Sequence, residues 1–143
     1  MEEKSKMQKI KEYIEKCYLL KGNKINVDYL KDKAISYSID RTPSTPVVST
    51  DILGGKVKQI TFDFAVQAPL AGQAIVNLAN SKFCEDFMKW IETQNKERKY
   101  PEIDGMQYIS CTSPGYILQK TETTAIYIIQ MKCEYYEKYK EEN

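Results

Sequence analysis

The sequence contains no histidine. That absence removes the side chain most used for general acid and base chemistry near neutral pH, and Ser–His and Cys–His nucleophile pairs go with it. Cysteine is sparse as well. Cys17, Cys84, Cys111 and Cys133 lie far apart with no C-x-x-C pair, so no metal site is expected. Glycine is scarce, and its one adjacent pair, Gly54-Gly55, sits between strand-like runs. A phosphate cradle needs spaced glycines between a strand and a helix, so no cofactor is expected. No run of ~20 apolar residues is present, which argues against a membrane-spanning helix. The charged start Met1-Glu2-Glu3-Lys4-Ser5-Lys6 leads into a periodic segment and not an apolar h-region, so no secretory signal is expected. The thiols are accordingly expected to stay reduced in a cytosolic product and to pack as small hydrophobes. Charge is balanced, with 21 Lys plus Arg against 20 Asp plus Glu, which offers no overall attraction toward nucleic acid or an anionic membrane.

What is present suits one domain spanning 1–143. A chain of this length buries roughly 68–70% of its extended surface, enough for a core without staples. Met7, Ile10, Ile14 and Cys17 recur at spacings of three and four, which predicts an amphipathic helix over about residues 3–20, stopped by Gly22-Asn23. Period-two alternation follows: Ile25, Val27 and Tyr29, then Ile35, Tyr37 and Ile39, predict two short strands. Arg41-Thr42-Pro43-Ser44-Thr45-Pro46 breaks the ladder, since each proline removes an amide donor. Val47, Val48 and Ile52 form another β-prone run, predicting a strand that ends at Gly54-Gly55, a hairpin-turn dipeptide. The returning strand sets Ile60, Phe62, Phe64 and Val66 on one face against Gln59, Thr61, Asp63 and Ala65 on the other, and ends at Ala68-Pro69.

Leu70, Ala74, Ile75 and Leu78 then predict a short second helix. Asn80-Ser81 interrupts it, and Ser81 caps a third, whose stripe Phe83, Phe87, Trp90 and Ile91 would cover the sheet. Strands follow over Met106–Thr112, Tyr116–Gln119 and Thr123–Tyr136. In the last, Ala125, Tyr127, Ile129, Met131, Cys133 and Tyr135 share a face, and residues 137–143 read as a frayed charged tail. The sequence shows no internal repeat. The order implies an α+β fold: an antiparallel β-sheet with an N-terminal helix and a central helical pair packed on one face.

Reactive constellations are thin. Glu85, Asp86 and Glu92 on the third helix could pair for acid and base work, but read better as solvated helix charges. Cys84, placed near that helix's N-terminus, could have a lowered pKa; without a basic partner it reads as packing. Eleven tyrosines are more telling, with Tyr127, Tyr135, Tyr136 and Tyr139 crowded near the end. Tyrosine suits half-buried sheets and protein interfaces. Lys132, Lys138 and Lys140 between them would suit nucleic-acid stacking, but Glu134, Glu137, Glu141 and Glu142 oppose it.

Several segments taken in order resemble a known family: Lys24-Ile25-Asn26-Val27-Asp28-Tyr29-Leu30, Tyr37-Ser38-Ile39-Asp40, Thr42-Pro43-Ser44-Thr45-Pro46, Phe83-Cys84-Glu85-Asp86-Phe87-Met88-Lys89-Trp90-Ile91-Glu92 with Gln94-Asn95, and Ser113-Pro114-Gly115-Tyr116. Over about residues 7–137 the chain resembles the minor capsid or tail terminator proteins of phages of Gram-positive hosts. A proline often follows the Ile-Asp pair in that family, where this chain has Arg41.

The resemblance implies a virion structural subunit with no enzymatic activity. It would assemble with itself into a hexameric ring that ends the tail tube and joins a neck, head-completion or collar protein, with sheath as a further neighbour. DNA would pass through the lumen without sequence-specific or membrane contacts. In a headless tail-like bacteriocin the ring would cap the tube. The subunit would wait in the bacterial host cytoplasm before assembly. Ring contacts are heterologous, and exposed strand edges suit them. The residues expected at the interface are Arg41, Thr42, Asp51, Gly54, Gly55, Lys56, Lys58 and Tyr136, with the arm from Arg41 to Lys58 reaching a neighbour or the tube. Deleting residues 49–57 would then abolish ring or tube binding without unfolding the domain. Two other classes stay open: a monomeric partner-binding module, and a small enzyme using carboxylates and a thiol.

Overall fold

The computed structural model describes residues 4–28, 30, 35–69 and 74–139, with residues 74–79 described by backbone alone. The expected tail from Lys140 onward, Tyr29 and Leu70 lie outside the described residues, as do the side chains of Ala74, Ile75 and Leu78.

Helix α1, Lys6–Glu15, starts where the Ser5 hydroxyl accepts from the Gln8 amide at 3.2 Å. It ends sooner than the periodicity predicts. Continued as a helix, the chain would set Leu20 at the margin of the buried stripe, about 100° round from the line through Ile10 and Ile14. Instead Cys17 is extended, and a single 3-10 turn, Tyr18–Leu20, buries Leu20 and leaves Tyr18 in solvent. Lys21 and Gly22, both at positive φ, then redirect the chain.

Among the described residues seven strands form one sheet: β1 Ile25–Val27, β2 Ser36–Thr42, β3 Val47–Thr50, β4 Lys56–Pro69, β5 Met106–Cys111, β6 Tyr116–Lys120 and β7 Thr124–Glu137. Its spine is the antiparallel pair β4–β7, matched at every position from Lys56 opposite Glu137 to Pro69 opposite Thr124. Two strands in tandem occupy each outer edge of this ribbon. β2 and then β3 run along β4, while β5 and then β6 run along β7. The breaks fall at Pro43 and Pro46 in the first case and at Pro114 in the second, where a missing amide interrupts the ladder. β1 departs from the expected antiparallel pattern, because it pairs with β2 in parallel, Ile25 opposite Tyr37. Alternation reports which face a residue takes and is silent on strand direction.

Helix α2, Ala74–Lys96, is one continuous helix and not the expected pair. Asn80 and Ser81 cost a helix only a few tenths of a kcal/mol each. The Asn80 amide also turns away from its own backbone, donating to the Pro69 carbonyl at 3.2 Å and to the Tyr127 hydroxyl at 3.4 Å.

Strand pairing thus repeats one plan twice, β2 then β3 along β4 and β5 then β6 along β7, an approximate twofold of the ribbon that β1 does not share and that no repeat in the sequence announces. Both helices lie on one face. Ile60, Phe62, Phe64 and Val66 of β4, and Tyr127, Ile129, Met131, Cys133 and Tyr135 of β7, all point to it and are buried, as the alternation predicts. Phe87 stacks on Phe64 with ring centroids 4.5 Å apart, and Tyr13 meets Trp90 at 5.5 Å. The twofold sends the β3–β4 hairpin and the β6–β7 hairpin to opposite ends of the ribbon.

Candidate functional site

The β3–β4 hairpin turns through five residues, Asp51 to Gly55, and not through a two-residue Gly-Gly turn. Asp51 organises it. Its Oδ1 accepts from the amides of Leu53 at 2.9 Å and Gly55 at 2.8 Å, and its own amide donates to the Gly55 carbonyl at 2.8 Å. Its Oδ2 accepts from the hydroxyl of Tyr136 on β7. The Tyr136 hydrogen bond, followed by the loop amides, holds the Asp51 carboxyl below its ordinary range against the opposing effect of desolvation.

Both glycines are required by contact. Gly54 sits at φ +86° with the Tyr139 ring against it, and a Cβ on Gly55 would collide with the Tyr136 hydroxyl. Lys58 pairs with Glu137 across the ribbon at 2.9 Å.

Asp51, Gly54, Gly55 and Tyr136 therefore form one cluster, with Lys56 and Lys58 beside it. Arg41 and Thr42 do not join them. They lie further along β4, opposite Phe62 and Thr61, where the Thr42 hydroxyl donates to that of Thr61 at 2.8 Å and the Arg41 amide donates to Asp28 Oδ1 at 3.4 Å. The expected arm is thus the end of β2 and the whole of β3, both bonded to β4 on either side of the Pro43–Pro46 break, and the loop at its tip projects. That tip carries Ile52, fully exposed at 102%, and Leu53 at 79%. Ile52, expected to belong to a strand, is instead a loop residue. Two adjacent aliphatics before Gly-Gly were the available signal for an exposed apolar tip.

A second apolar feature lies at the other end of the ribbon and was not singled out by sequence reasoning. Strand β6 is exposed along its whole length, Tyr116, Ile117 and Leu118 included. Among the described residues it pairs only with β7, so its outer edge is open. Between β6 and α2 runs a cleft of about 380 Å³ lined by Cys84, Glu85, Met88, Tyr116, Ile117 and Tyr127. Its floor depends on Gly115, whose Cβ would come within 2.6 Å of Cys84 Sγ.

The cysteines and the helix carboxylates are dispersed. Cys84 sits well inside α2, not near its N-terminus, and burial pushes its thiol up to about 11. Burial likewise raises Cys17 to about 11 and Cys111 and Cys133 to about 12. Asp86 pairs with Lys82 one turn away at 3.0 Å, while Glu85 and Glu92 are exposed. Among the described residues no three His, Cys, Asp or Glu side chains gather closely enough to hold a metal ion, and no helix is long and apolar enough to cross a membrane. No protein-family model matches the chain, and no curated protein matches it.

Proposed function

We propose that this protein is a structural ring subunit of the tail terminator type, working by contact and not by turnover. It would close the end of a tail tube as a homohexamer in a virion tail or tail-like particle. A neck or collar protein would meet its far side, and DNA would pass through the lumen where a head is present. The carrying observation is the pair of apolar surfaces at opposite ends of the central ribbon: the Ile52-Leu53 tip and the β6 edge with its cleft. Two different patches on one chain suit heterologous, head-to-tail contacts, which close into a ring when the rotation per subunit permits. The ordered resemblance of the sequence to tail terminators supports the same reading.

The test is assembly. Light scattering and negative-stain imaging of the purified chain, alone and mixed with tail tubes, should reveal sixfold rings or capped tubes. A monomer at every concentration, with no affinity for tubes, would overturn the reading and leave a monomeric binding module in its place.

A further inference from the structure

We infer that the Ile52-Leu53 tip of one subunit docks in the cleft between α2 and β6 of the next copy of this chain, an inference that rests on the ring reading above.

The tip is built for docking. Large aliphatic side chains at 102% and 79% exposure are unfavourable in water, and hydrogen bonds tie down the loop that carries them. Asp51 holds that loop through the amides of Leu53 and Gly55 and through the Tyr136 hydroxyl, while Tyr139 supports Gly54. A loop already fixed in its bound shape loses little entropy on association, so the buried apolar area is retained as affinity.

The cleft is complementary in chemistry. Met88, Tyr116 and Ile117 offer apolar walls, and the absent side chain of Gly115 lets Cys84 form the floor. The cleft carries both Glu85 and Lys120, and the base of the tip carries both Asp51 and Lys56, all four exposed and, among the described residues, none in a salt bridge. Each surface therefore offers the other a charge of opposite sign.

The placement decides between self-contact and contact with a second copy. The cleft borders Tyr127 and Ile128 of β7, whereas the tip adjoins Glu137 at the far end of that strand, roughly 30 Å away at the rise of an antiparallel strand. A chain cannot fill its own cleft, and each filled cleft leaves one tip free to continue. A contact of this kind propagates from copy to copy until it closes.

The experiment uses two variants of the whole chain. One carries Ile52→Asp and Leu53→Asp in the tip, the other Ile117→Glu in the cleft. All three positions are exposed, so thermal melting should match the wild type. Each variant alone should sediment as a monomer under conditions where the wild type forms rings. An equimolar mixture should give 1:1 dimers and nothing larger, because it contains one intact tip for each intact cleft. Variants that assemble as the wild type does, or a mixture that stays monomeric, would overturn the docking while the ring reading stands. Rings that form in both variants, with tube capping lost only in the tip variant, would also overturn it and assign the tip to the tube protein. A wild type that never assembles and never binds tubes would overturn both.

Discussion

The hydroxyl of Tyr136 donates to Oδ2 of Asp51 at 2.5 Å, tying the hairpin loop to the end of β7, a strand that joins the chain 85 residues later. Asp51 is thereby held below the ordinary carboxylate range, by Tyr136 first and the loop amides after it. A folded-state pKa below the unfolded value means a contribution that is present above the unfolded value and lost as pH falls through the folded one. Tyr136→Phe should therefore raise the titration midpoint of Asp51 toward that of a free aspartate, and the loop should open at a higher pH on acidification. Carboxyl chemical shifts for Asp51 and exchange of the Leu53 and Gly55 amides across acidic pH check this. An unmoved midpoint would show that the amides alone set it.

Gly55 tests the same cluster by shape. Because a Cβ there meets the Tyr136 hydroxyl, Gly55→Ala should expel that ring and speed exchange of the loop amides while the sheet core stays protected. Gly22→Ala is the contrast. At φ +80° with nothing within 4 Å, it should cost about 1–2 kcal/mol for the left-handed backbone and leave the hairpin loop untouched. Amide exchange separates the two, since only the first variant should change the Leu53 amide.

Much of the sheet was legible because β4 and β7 alternate over long stretches, and a period of two specifies a buried face without further context. Ile60 through Val66 and Ala125 through Tyr135 point where the pattern says they should. The failures share a cause, which is dependence on partners distant in sequence. Asn80-Ser81 reads as a break until Pro69 and Tyr127 are seen to take the Asn80 amide. Gly54-Gly55 reads as a two-residue turn until Asp51 and Tyr136 are seen to close a wider one. The cleft was illegible for the same reason, since α2 and β6 meet only through the fold. Arg41 and Thr42 share one Pro- and Gly-rich segment with the tip, but strand pairing separates them from it.

The aromatic stripe of α2 is not uniform in depth. Phe87 is fully buried against Phe64, whereas Trp90 is half-buried between Tyr13 and Phe87. Full burial would place Trp90→Ala at ~3–5 kcal/mol, but part of this ring already meets water. Phe87→Ala should cost about 3–5 kcal/mol and Trp90→Ala about 2 kcal/mol, because the transfer and cavity penalties scale with the surface removed from water. Denaturant unfolding of the two variants gives the order directly, and a larger loss at Trp90 would contradict this packing.

On the sheet face away from the helices, Asp40 of β2 stands directly opposite Asp63 of β4, with Gln130 of β7 as the next neighbour in the row. Ser38 donates to Asp40 Oδ2 at 3.4 Å, the Asp28 carboxylate lies close enough to repel it, and Oδ1 is buried with no hydrogen-bond partner among the described residues. Burial raises both carboxyls above their ordinary range, and the charge on Asp40 adds to the rise at Asp63. Between the unfolded carboxyl value, about 3.9, and the raised folded values, the folded state binds more protons, so stability falls as pH climbs through that window. At neutral pH the two charges face each other as a like pair, an arrangement that weakens a sheet. Asp40→Asn should stabilise the fold at pH 7 by about 0.5–1 kcal/mol, since the amide can donate to Asp63 where a carboxylate repels it. The gain should vanish near pH 3, where the wild-type pair is already protonated. Asp63→Asn should act in the same direction, and the double variant should gain less than the sum, because either change alone removes the repulsion. Unfolding free energies of the three variants at the two pH values settle it: additive gains, or a gain that persists in acid, would mean that the carboxylates do not repel each other in the folded sheet.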